Sequence, residues 1–279
     1  MRNIIASATA SYGRIKQVLD EPPPKEPGTI QRDIRGNILL ENVSLSYGEK
    51  PVLKKVSFSI SEGSNTAIIG PTAAGKSQLL YLLSNLITPD EGRIEIDELS
   101  IEDYSREVFF QQLGFVFQDS VLFNISLREN IAFNDSVKEE SLVKAIETAE
   151  LTDFIESLPE KLDTMVSERG TSLSGGQKQR IMLARALALN PKVLLLDDFT
   201  SRVDRNTENK ILCNIQSNYP DLTLVSVTQK IAPIKHFDQI LLLMEGELIA
   251  SGTHKYLLEH SPEYIQIYSS QKTTQHYEL

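Results

Sequence analysis

The chain has 279 residues, 41% hydrophobic and 24% charged, which is ordinary for a globular protein with room for one large domain or two modest ones. Its 28 basic and 38 acidic residues leave a net charge of −10, which argues against a nucleic-acid-binding surface because phosphate neutralisation needs concentrated lysine and arginine. The single cysteine, Cys213, excludes an intrachain disulfide and a cysteine-cluster metal site, and its helical surroundings predict a packing role.

The N-terminal part of the chain indicates a short helix followed by a stiff linker. Apolar residues at near-helical spacing over residues 3–19 predict the helix. The proline-rich run that begins at residue 21 cannot continue it. We therefore expect residues 21–35 to be a linker and the folded domain to begin near Gly36. No run of about eighteen apolar residues occurs, so we expect no segment of this sequence to span a bilayer.

From residue 37 the pattern changes to alternating strands separated by turns. Strands are predicted at residues 38–40, 43–47, 56–60, 67–69 and 92–97. A helix with leucines on one face is predicted over residues 76–86, with Pro89 ending it.

Strand patterns are absent between about residues 120 and 190, where helices are predicted instead. These helices cover residues 141–149, 152–158 and 175–189. The later apolar runs 193–196 and 222–227 are typical of strands buried on both faces of a parallel sheet, and a helix is predicted between them at about 206–217.

The end of the chain predicts a hairpin and a loose tail. Residues 240–244 and 247–250 form the hairpin. The polar residues 262–279 are expected to be frayed. The whole order of elements indicates an α/β fold.

The junction between the strand at 67–69 and the following helix carries the strongest motif. The phosphate-binding pattern G-x-x-x-x-G-K-[ST] is matched by Gly70, Pro71, Thr72, Ala73, Ala74, Gly75, Lys76 and Ser77, with Gln78 continuing the helix. Backbone N–H groups at a helix N-terminus attract anions, Lys76 would reach terminal phosphates, and the Ser77 hydroxyl would coordinate Mg²⁺. A chance match is the alternative, but the strand before and the helix after favour a nucleotide-binding protein.

A carboxylate follows the apolar strand 193–196. Ligands lie at the carboxyl ends of strands in open α/β sheets, so Asp197 would complete the Mg²⁺ shell from a strand beside the P-loop strand. The alternative is that Asp197 and Asp198 are solvated loop acids.

A second candidate phosphate site precedes the helix at 175–189. It consists of Ser174, Gly175, Gly176 and Gln177. A hydroxyl, two glycines and an amide at a helix start can bind phosphate, although Ser174 could also simply cap the helix. One nucleotide does not need two such helix starts, unless the second reaches a nucleotide held by a different subunit.

Together these motifs resemble the nucleotide-binding domain of an ABC transporter of the exporter type, over about residues 36–260. The resemblance implies a P-loop NTPase core with an N-terminal antiparallel β subdomain and a helical subdomain inserted at about 119–190. It implies ATP and Mg²⁺ as ligands, with residues 70–77 as Walker A, 193–197 as Walker B and 174–177 as the signature.

The resemblance also implies roles for residues that are weak signals by themselves. Tyr47 matches the aromatic residue that stacks on the adenine, although alone it is an ordinary strand residue. Gln118 matches the glutamine that senses the γ-phosphate and Mg²⁺, although alone it is an ordinary polar residue. Residues 167–170 resemble the exporter loop before the signature, and 201–204 a loop that crosses the dimer interface.

The chain departs from the family pattern at positions tied to hydrolysis. Asp198 stands where the family has a water-orienting glutamate, and its shorter side chain withdraws the carboxylate by roughly 1–1.5 Å. Gln229 stands where the family has a switch histidine, and glutamine cannot carry a positive charge. Ala73 replaces a Walker A glycine, and Arg202 and Val203 replace a small residue and a leucine. This pattern resembles the degenerate half of a heterodimeric exporter, with slow hydrolysis at its own Walker motifs.

The setting follows from the same resemblance. Residues 1–20 resemble the end of an exporter's last transmembrane helix, which implies a membrane domain in the same polypeptide, at the cytoplasmic face of a membrane such as the bacterial plasma membrane. Residues 120–131 resemble the segment that receives the coupling helices of the membrane domain. The other partner is a second nucleotide-binding domain on a different subunit, and no nucleic acid is expected. Residues 261–279 would be a C-terminal tail.

Rival interpretations remain at this stage. A soluble ABC-type ATPase of DNA repair or translation would be expected to carry a coiled-coil insertion or a second ATPase domain. The N-terminal helix and residues 168–170 argue against an importer subunit, and the run 174–177 argues against a P-loop kinase. A nucleotide-sensing regulator without transport keeps every binding motif, and turnover with the partner would separate it from a transporter.

Overall fold

The computed structural model describes residues 11–13, 15–16, 28–119, 121–133, 136–166 and 173–277. Residues 11–13 and 15–16 are helical; the rest of the predicted N-terminal helix, the linker residues 21–27 and the exporter-like loop 167–170 lie outside the described residues. None of the helices in the described part is both long and apolar enough to cross a membrane.

The described residues alternate between strands and helices. The strands are β1 (Ile38–Tyr47), β2 (Lys50–Ile60), β3 (Asn65–Ile69), β4 (Glu91–Ile96), β5 (Leu99–Ser100), β6 (Leu113–Val116), β7 (Val193–Asp197), β8 (Thr223–Val227), β9 (Gln239–Met244) and β10 (Glu247–Gly252). The α-helices are α1 (Lys76–Leu83), α2 (Arg106–Gln112), α3 (Leu127–Ile131), α4 (Glu139–Thr148), α5 (Thr152–Glu156), α6 (Gly175–Ala188), α7 (Arg205–Asn218), α8 (His254–His260) and α9 (Pro262–Tyr277). Short 3-10 turns cover Lys161–Asp163, Phe199–Arg202 and Ala232–Ile234.

Two sheets carry the fold. The first is antiparallel, with the strand order β2-β1-β4-β5. The second has the order β10-β9-β3-β8-β7-β6 and is parallel, except that β10 forms the predicted antiparallel hairpin with β9. Helices α3 to α6 are inserted between β6 and β7. The predicted α/β class, with an antiparallel β portion and a helical insertion, is confirmed.

The larger sheet is covered on both faces, which explains its continuous apolar strands. On β7, Leu194 and Leu196 pack into a core with α4, α6 and α7. Val193 and Leu195 face the opposite core, which includes α1 and the antiparallel sheet. Every residue of β7 and β8 is buried, as predicted for a buried parallel sheet.

Several predicted details are wrong. Helix α1 ends at Leu83 and not at residue 86, because Asn85 has a left-handed φ of 54° and reverses the chain. Strand β8 lies between β3 and β7, so Asp197 is not on a strand beside the P-loop strand. Cys213 is exposed, so it has no packing role.

The segments at both ends of the domain make more contacts with the rest of the domain than the sequence suggested. Residues 262–277 form helix α9, with Tyr264 fully buried, so this segment is not frayed. Near the other end, the Ile30 N–H donates to the Asp103 carbonyl at 3.0 Å, and the Ile34 N–H donates to Gln112 Oε1 at 2.8 Å. Contacts with the domain therefore begin before Gly36.

Candidate nucleotide-binding site

The turn between β3 and α1 places main-chain N–H groups at an uncapped helix start. Gly70 and Gly75 have φ values of 148° and 98°, which glycine adopts without strain. Ala73 has a left-handed φ of 63°, a conformation that costs a residue with a side chain about 1 kcal/mol. No side chain in the described residues caps α1, so its first N–H groups remain available to an anion.

Lys76 folds back over this turn. Its Nζ donates to the carbonyl oxygens of Gly70 at 2.9 Å and Pro71 at 2.7 Å. Burial lowers the pKa of Lys76, while the nearby carboxylates of Asp198 and Asp197 act in the opposite direction. The ammonium can therefore reach a phosphate beside the turn by exchanging two carbonyl partners for phosphate oxygens.

Ser77 and Asp197 are brought together from opposite sides of β8. Ser77 Oγ donates to Asp197 Oδ1 at 3.1 Å. Asp197 is 2% exposed, and its burial raises its pKa despite the hydrogen bond from Ser77, which lowers it. A hydroxyl and a carboxylate are hard oxygen ligands of the kind that Mg²⁺ prefers.

The protein ligands at this position fit a metal that is also held by phosphate. Within the described ranges no group of three or more His, Cys, Asp or Glu side chains could hold a metal ion. Mg²⁺ in phosphate-transferring sites typically binds one or two protein oxygens together with substrate phosphates and water. The pair Ser77 and Asp197 beside the anion-attracting turn therefore matches a magnesium–nucleotide site.

Asp198 and Gln229 lie at the carboxyl ends of neighbouring strands. Asp198 has a left-handed φ of 45°, and its N–H donates to the Val227 carbonyl at 3.0 Å. Burial raises the pKa of Asp198, while the charges of Lys230 and Lys76 oppose that rise. Gln229 is exposed two residues after the end of β8.

A cavity of about 520 Å³ opens beside the turn, within the usual size range of small-molecule sites. The sequence-predicted residues that line it are Tyr47, Ala73, Gly75, Lys76, Ser77 and Gln78. Tyr47 is 56% exposed, and its hydroxyl donates to Gln78 Oε1 at 2.8 Å. The bond ties the aromatic ring at the end of β1 to the first turn of α1.

The run 174–177 lies elsewhere and forms a capping box. Ser174 Oγ accepts from the Gln177 N–H at 3.2 Å, and the Ser174 N–H donates to Gln177 Oε1 at 2.8 Å. The predicted N-cap at Ser174 is thus confirmed. None of these residues lines the cavity beside Walker A. The candidate site residues therefore fall into two separate groups.

Two contacts that the sequence analysis did not anticipate join the segment of Gln118 and Asp119 to helix α6 and its surroundings. Gln179 is fully buried on α6, and its Nε2 donates to the Gln118 carbonyl at 2.8 Å. Arg202 lies 3.5 Å from Asp119 Oδ1, and its side-chain stem packs against Gly175. The segment that carries Gln118 is thereby tied to the start of the helix after the signature. A glutamine on the apolar face of that helix was the available signal.

A P-loop before a helix, with a buried carboxylate at the end of a parallel strand beyond it, defines the class of P-loop nucleoside triphosphatases. The sequence model of the family described as ABC transporter matches residues 53–201 of this chain, which is more than half of its 279 residues. The chain belongs to the ABC transporter family.

Relatives with curated names agree with this assignment. The chain is 44% identical over 272 residues to YfiB of Bacillus subtilis (strain 168), described as an uncharacterized ABC transporter ATP-binding protein. It is 35% identical over 272 residues to an ATP-dependent lipid A-core flippase of Idiomarina loihiensis. These matches cover 96% of this chain but 47% and 46% of the relatives. The chain therefore spans about half the length of the curated relatives it matches.

A solved structure is similar over the same extent. The structure of a bacterial Atm1-family ABC exporter with ATP bound matches with a TM-score of 0.85 and 34% identity, covering 96% of this chain and 48% of that chain. The expected ABC ATPase fold is thus confirmed. The chain is an ATP-binding domain of the exporter-type ABC ATPases.

Proposed function

We propose that the chain is the ATP-binding domain of an ABC exporter half-transporter, working at the cytoplasmic face of a membrane such as the bacterial plasma membrane. The ABC domain proper would cover residues 36–260, with the helical subdomain at about 119–190. The exporter-type relatives are about twice as long as this chain, which supports a membrane domain in the same polypeptide. Substrate selection would belong to that membrane domain.

The observation that carries the proposal is the pairing of Ser77 with Asp197 beside the cavity at the P-loop. In this site the backbone N–H groups of residues 72–77 and the Lys76 side chain hold the phosphates of ATP, and the Tyr47 ring faces the adenine. Ser77, Asp197 and Gln118 hold Mg²⁺. The bound ion supplies neutralisation of the phosphate charge.

The signature residues 174–177 act on a nucleotide in a second subunit. They do not line the cavity beside this chain's own P-loop, yet they form a capped helix start at which Ser174 is exposed to solvent. A head-to-tail dimer would place them against the partner's Walker A motif. ATP binding would then close the dimer, and its reopening would move substrate through the membrane domains.

We further propose that the site on this chain's own Walker motifs turns over slowly. Asp198 is one methylene shorter than the glutamate it replaces, and a misplacement of about 1 Å can cost on the order of 10²-fold in rate. Gln229 can hydrogen-bond a phosphate but cannot bring a positive charge to it. ATP would bind tightly here, while the competent site would be the one completed by residues 174–177 with the partner's Walker motifs.

The test is steady-state ATP hydrolysis by the isolated chain and by the assembled transporter, with the wild type and Asp198→Glu. We expect low turnover of the isolated wild type and a rise of up to about twofold in the assembled Asp198→Glu transporter, because the longer carboxylate reaches the attacking water and a second site then works beside the competent one. Asp198→Asn is the matched control and should leave the wild-type rate nearly unchanged. Brisk hydrolysis by the unpaired wild type, or its loss in Asp198→Asn, would overturn the slow-site proposal.

A nucleotide-sensing regulator without transport is the second candidate. The substitutions at Asp198 and Gln229 favour it because they spare binding and weaken hydrolysis. Turnover with the partner distinguishes the two functions. A regulator would show no substrate-stimulated hydrolysis in the assembled complex, whereas an exporter would. A soluble ABC-type ATPase would instead function without any membrane domain.

A further inference from the structure

The C-terminal helix α9 is anchored to the domain at its start. The Tyr264 side chain is fully buried and its hydroxyl lies 2.6 Å from His254 Nδ1. The Tyr264 N–H donates to Ser261 Oγ at 3.2 Å. These contacts fix the first turn of α9, and therefore the direction in which the rest of the helix runs.

Two turns further along, one side chain of α9 clamps the segment that follows β8. The Ile231 N–H donates to Gln271 Oε1 at 2.9 Å, and Gln271 Nε2 donates to the Gln229 carbonyl at 2.6 Å. The side-chain amide thus satisfies a donor and an acceptor two residues apart, as a neighbouring strand would. Residues 228–231 lie between β8 and the 3-10 turn Ala232–Ile234. The Thr228 N–H still donates to the Ile68 carbonyl of β3 at 3.2 Å, so Gln271 holds the part of the segment that has left the sheet.

The clamped segment faces the carboxylates at the sheet edge. Lys230 Nζ lies 3.6 Å from Glu208 Oε2, and Glu208 is 1% exposed. The charge of Lys230 also acts on Asp198. A shift of residues 228–231 would therefore move the Gln229 side chain and change the charge beside Asp198 together.

We propose that Gln271 is a positioning residue for nucleotide turnover, which acts by holding residues 228–231 at the phosphate end of the site. The inference rests on the proposed function only in giving Gln229 a place beside the γ-phosphate. Loss of the clamp leaves the P-loop and the cavity untouched, so nucleotide binding is retained. A displacement of the segment by about 1 Å is enough to slow the chemical step.

The experiment uses the assembled transporter with the partner subunit's own hydrolytic site inactivated, so that hydrolysis reports only this chain's site. Gln271→Met keeps the side-chain stem but removes both hydrogen bonds. Gln266→Met, at an exposed position of the same helix, is the matched control. Gln271→Glu keeps the acceptor for Ile231 and sets a carboxylate against the Gln229 carbonyl. The readouts are amide hydrogen exchange at Ile231, and kcat and KM for ATP, each measured with Asp198 and in the Asp198→Glu background.

We expect Gln271→Met to speed Ile231 exchange by about tenfold or more and to lower kcat about fivefold with KM unchanged. Gln271→Glu should lower kcat at least as much, and Gln266→Met should do neither. The inference is overturned if Gln271→Met matches Gln266→Met, if exchange rises throughout α8 and α9, or if exchange rises at Ile231 with kcat unchanged. The slow-site proposal is judged separately, from Asp198→Glu with Gln271 intact.

Discussion

Ser77 Oγ donates to Asp197 Oδ1 at 3.1 Å across a separation of 120 residues, although β8 lies between the two strands concerned. The contact is possible because β3, β8 and β7 are parallel and end at the same edge of the sheet. The first turn of α1 then reaches over the end of β8. The hydroxyl and the carboxylate therefore meet at the carboxyl edge of the sheet.

This alignment predicts how Ser77 contributes to nucleotide binding. Ser77→Ala should lower the affinity for ATP by about tenfold in the presence of Mg²⁺, because it removes one oxygen ligand and the partner of Asp197. In excess EDTA the affinity should change little. Isothermal titration calorimetry with and without the metal measures both values. Ser77→Thr, which keeps the hydroxyl, is the control, and an equal loss with and without Mg²⁺ would contradict the assignment.

Asp198 predicts a pH dependence of stability. Because burial raises the pKa of Asp198 above its usual value of 3.8, the folded chain binds this proton more tightly than the unfolded chain. The resulting stabilisation is present below the unfolded pKa and is lost as the pH rises through the folded pKa. Asp198→Asn should therefore raise the melting temperature of the nucleotide-free chain at pH 7, by about 2–4 °C.

Thermal unfolding from about pH 4.5 to pH 8 checks this expectation, since the difference between Asp198→Asn and the wild type should shrink towards the acidic end. Asp221→Asn, at an exposed position, is the control for losing a negative charge. A variant Asp198→Asn that melts below the wild type at pH 7 would show that the carboxylate is stabilised by its surroundings.

The environment of Gln179 predicts that two substitutions there, Gln179→Met and Gln179→Glu, destabilise the fold to different extents. Its Nε2 donates to the Gln118 carbonyl, but its buried Oε1 has no partner in the described residues. Gln179→Met removes one hydrogen bond and one unsatisfied acceptor together, so it should lower the free energy of unfolding by less than about 1.5 kcal/mol. Gln179→Glu would bury a carboxylate against a carbonyl oxygen and should cost about 3 kcal/mol or more. Urea unfolding of both variants measures the difference, and equal losses would refute the bonding assigned to this amide.

The contacts of Arg185 predict that it stabilises the fold where helix α6 packs against residues 121–131. Its Nε and Nη2 donate to the backbone carbonyl and the side chain of Asn130, and its guanidinium lies over the rings of Phe123 and Phe133. Burial lowers the pKa of Arg185 to about 10, which still leaves it charged at neutral pH. Arg185→Met should lower the free energy of unfolding by about 2–3 kcal/mol, because Asn130 loses buried charge-assisted bonds.

The control for Arg185 is Arg128, which forms a solvent-exposed ion pair with Glu139 in the same subdomain. Arg128 Nη1 lies 2.6 Å from Glu139 Oε2, with side chains 40% and 64% exposed. Exposed ion pairs contribute about 0–1 kcal/mol, so Arg128→Met should have little effect on urea unfolding. Similar losses of unfolding free energy for Arg185→Met and Arg128→Met would contradict the prediction that the buried arginine contributes more to stability.

The elements that the sequence predicted well are those with strong local signals. The P-loop, the capping box at Ser174 and the apolar runs of β7 and β8 each depend on residues close together in the chain. Short elements such as β5, α2 and α3 were missed, because two to seven residues are too few for a hydrophobic period to be recognised. Helix α9 was mistaken for a loose tail because its composition is polar, while the buried Tyr264 anchors its start.

The sequence alone determined the family, the order of its motifs and the presence of an aspartate at position 198 and a glutamine at position 229, because these are properties of residue type and spacing. The tertiary structure alone decided that β8 separates the P-loop strand from the strand of Asp197. It also decided that Gln179 holds Gln118 and that Gln271 holds Gln229, across 61 and 42 residues. Contacts between residues so far apart depend on how helices pack on the sheet, and local patterns carry no information about that packing.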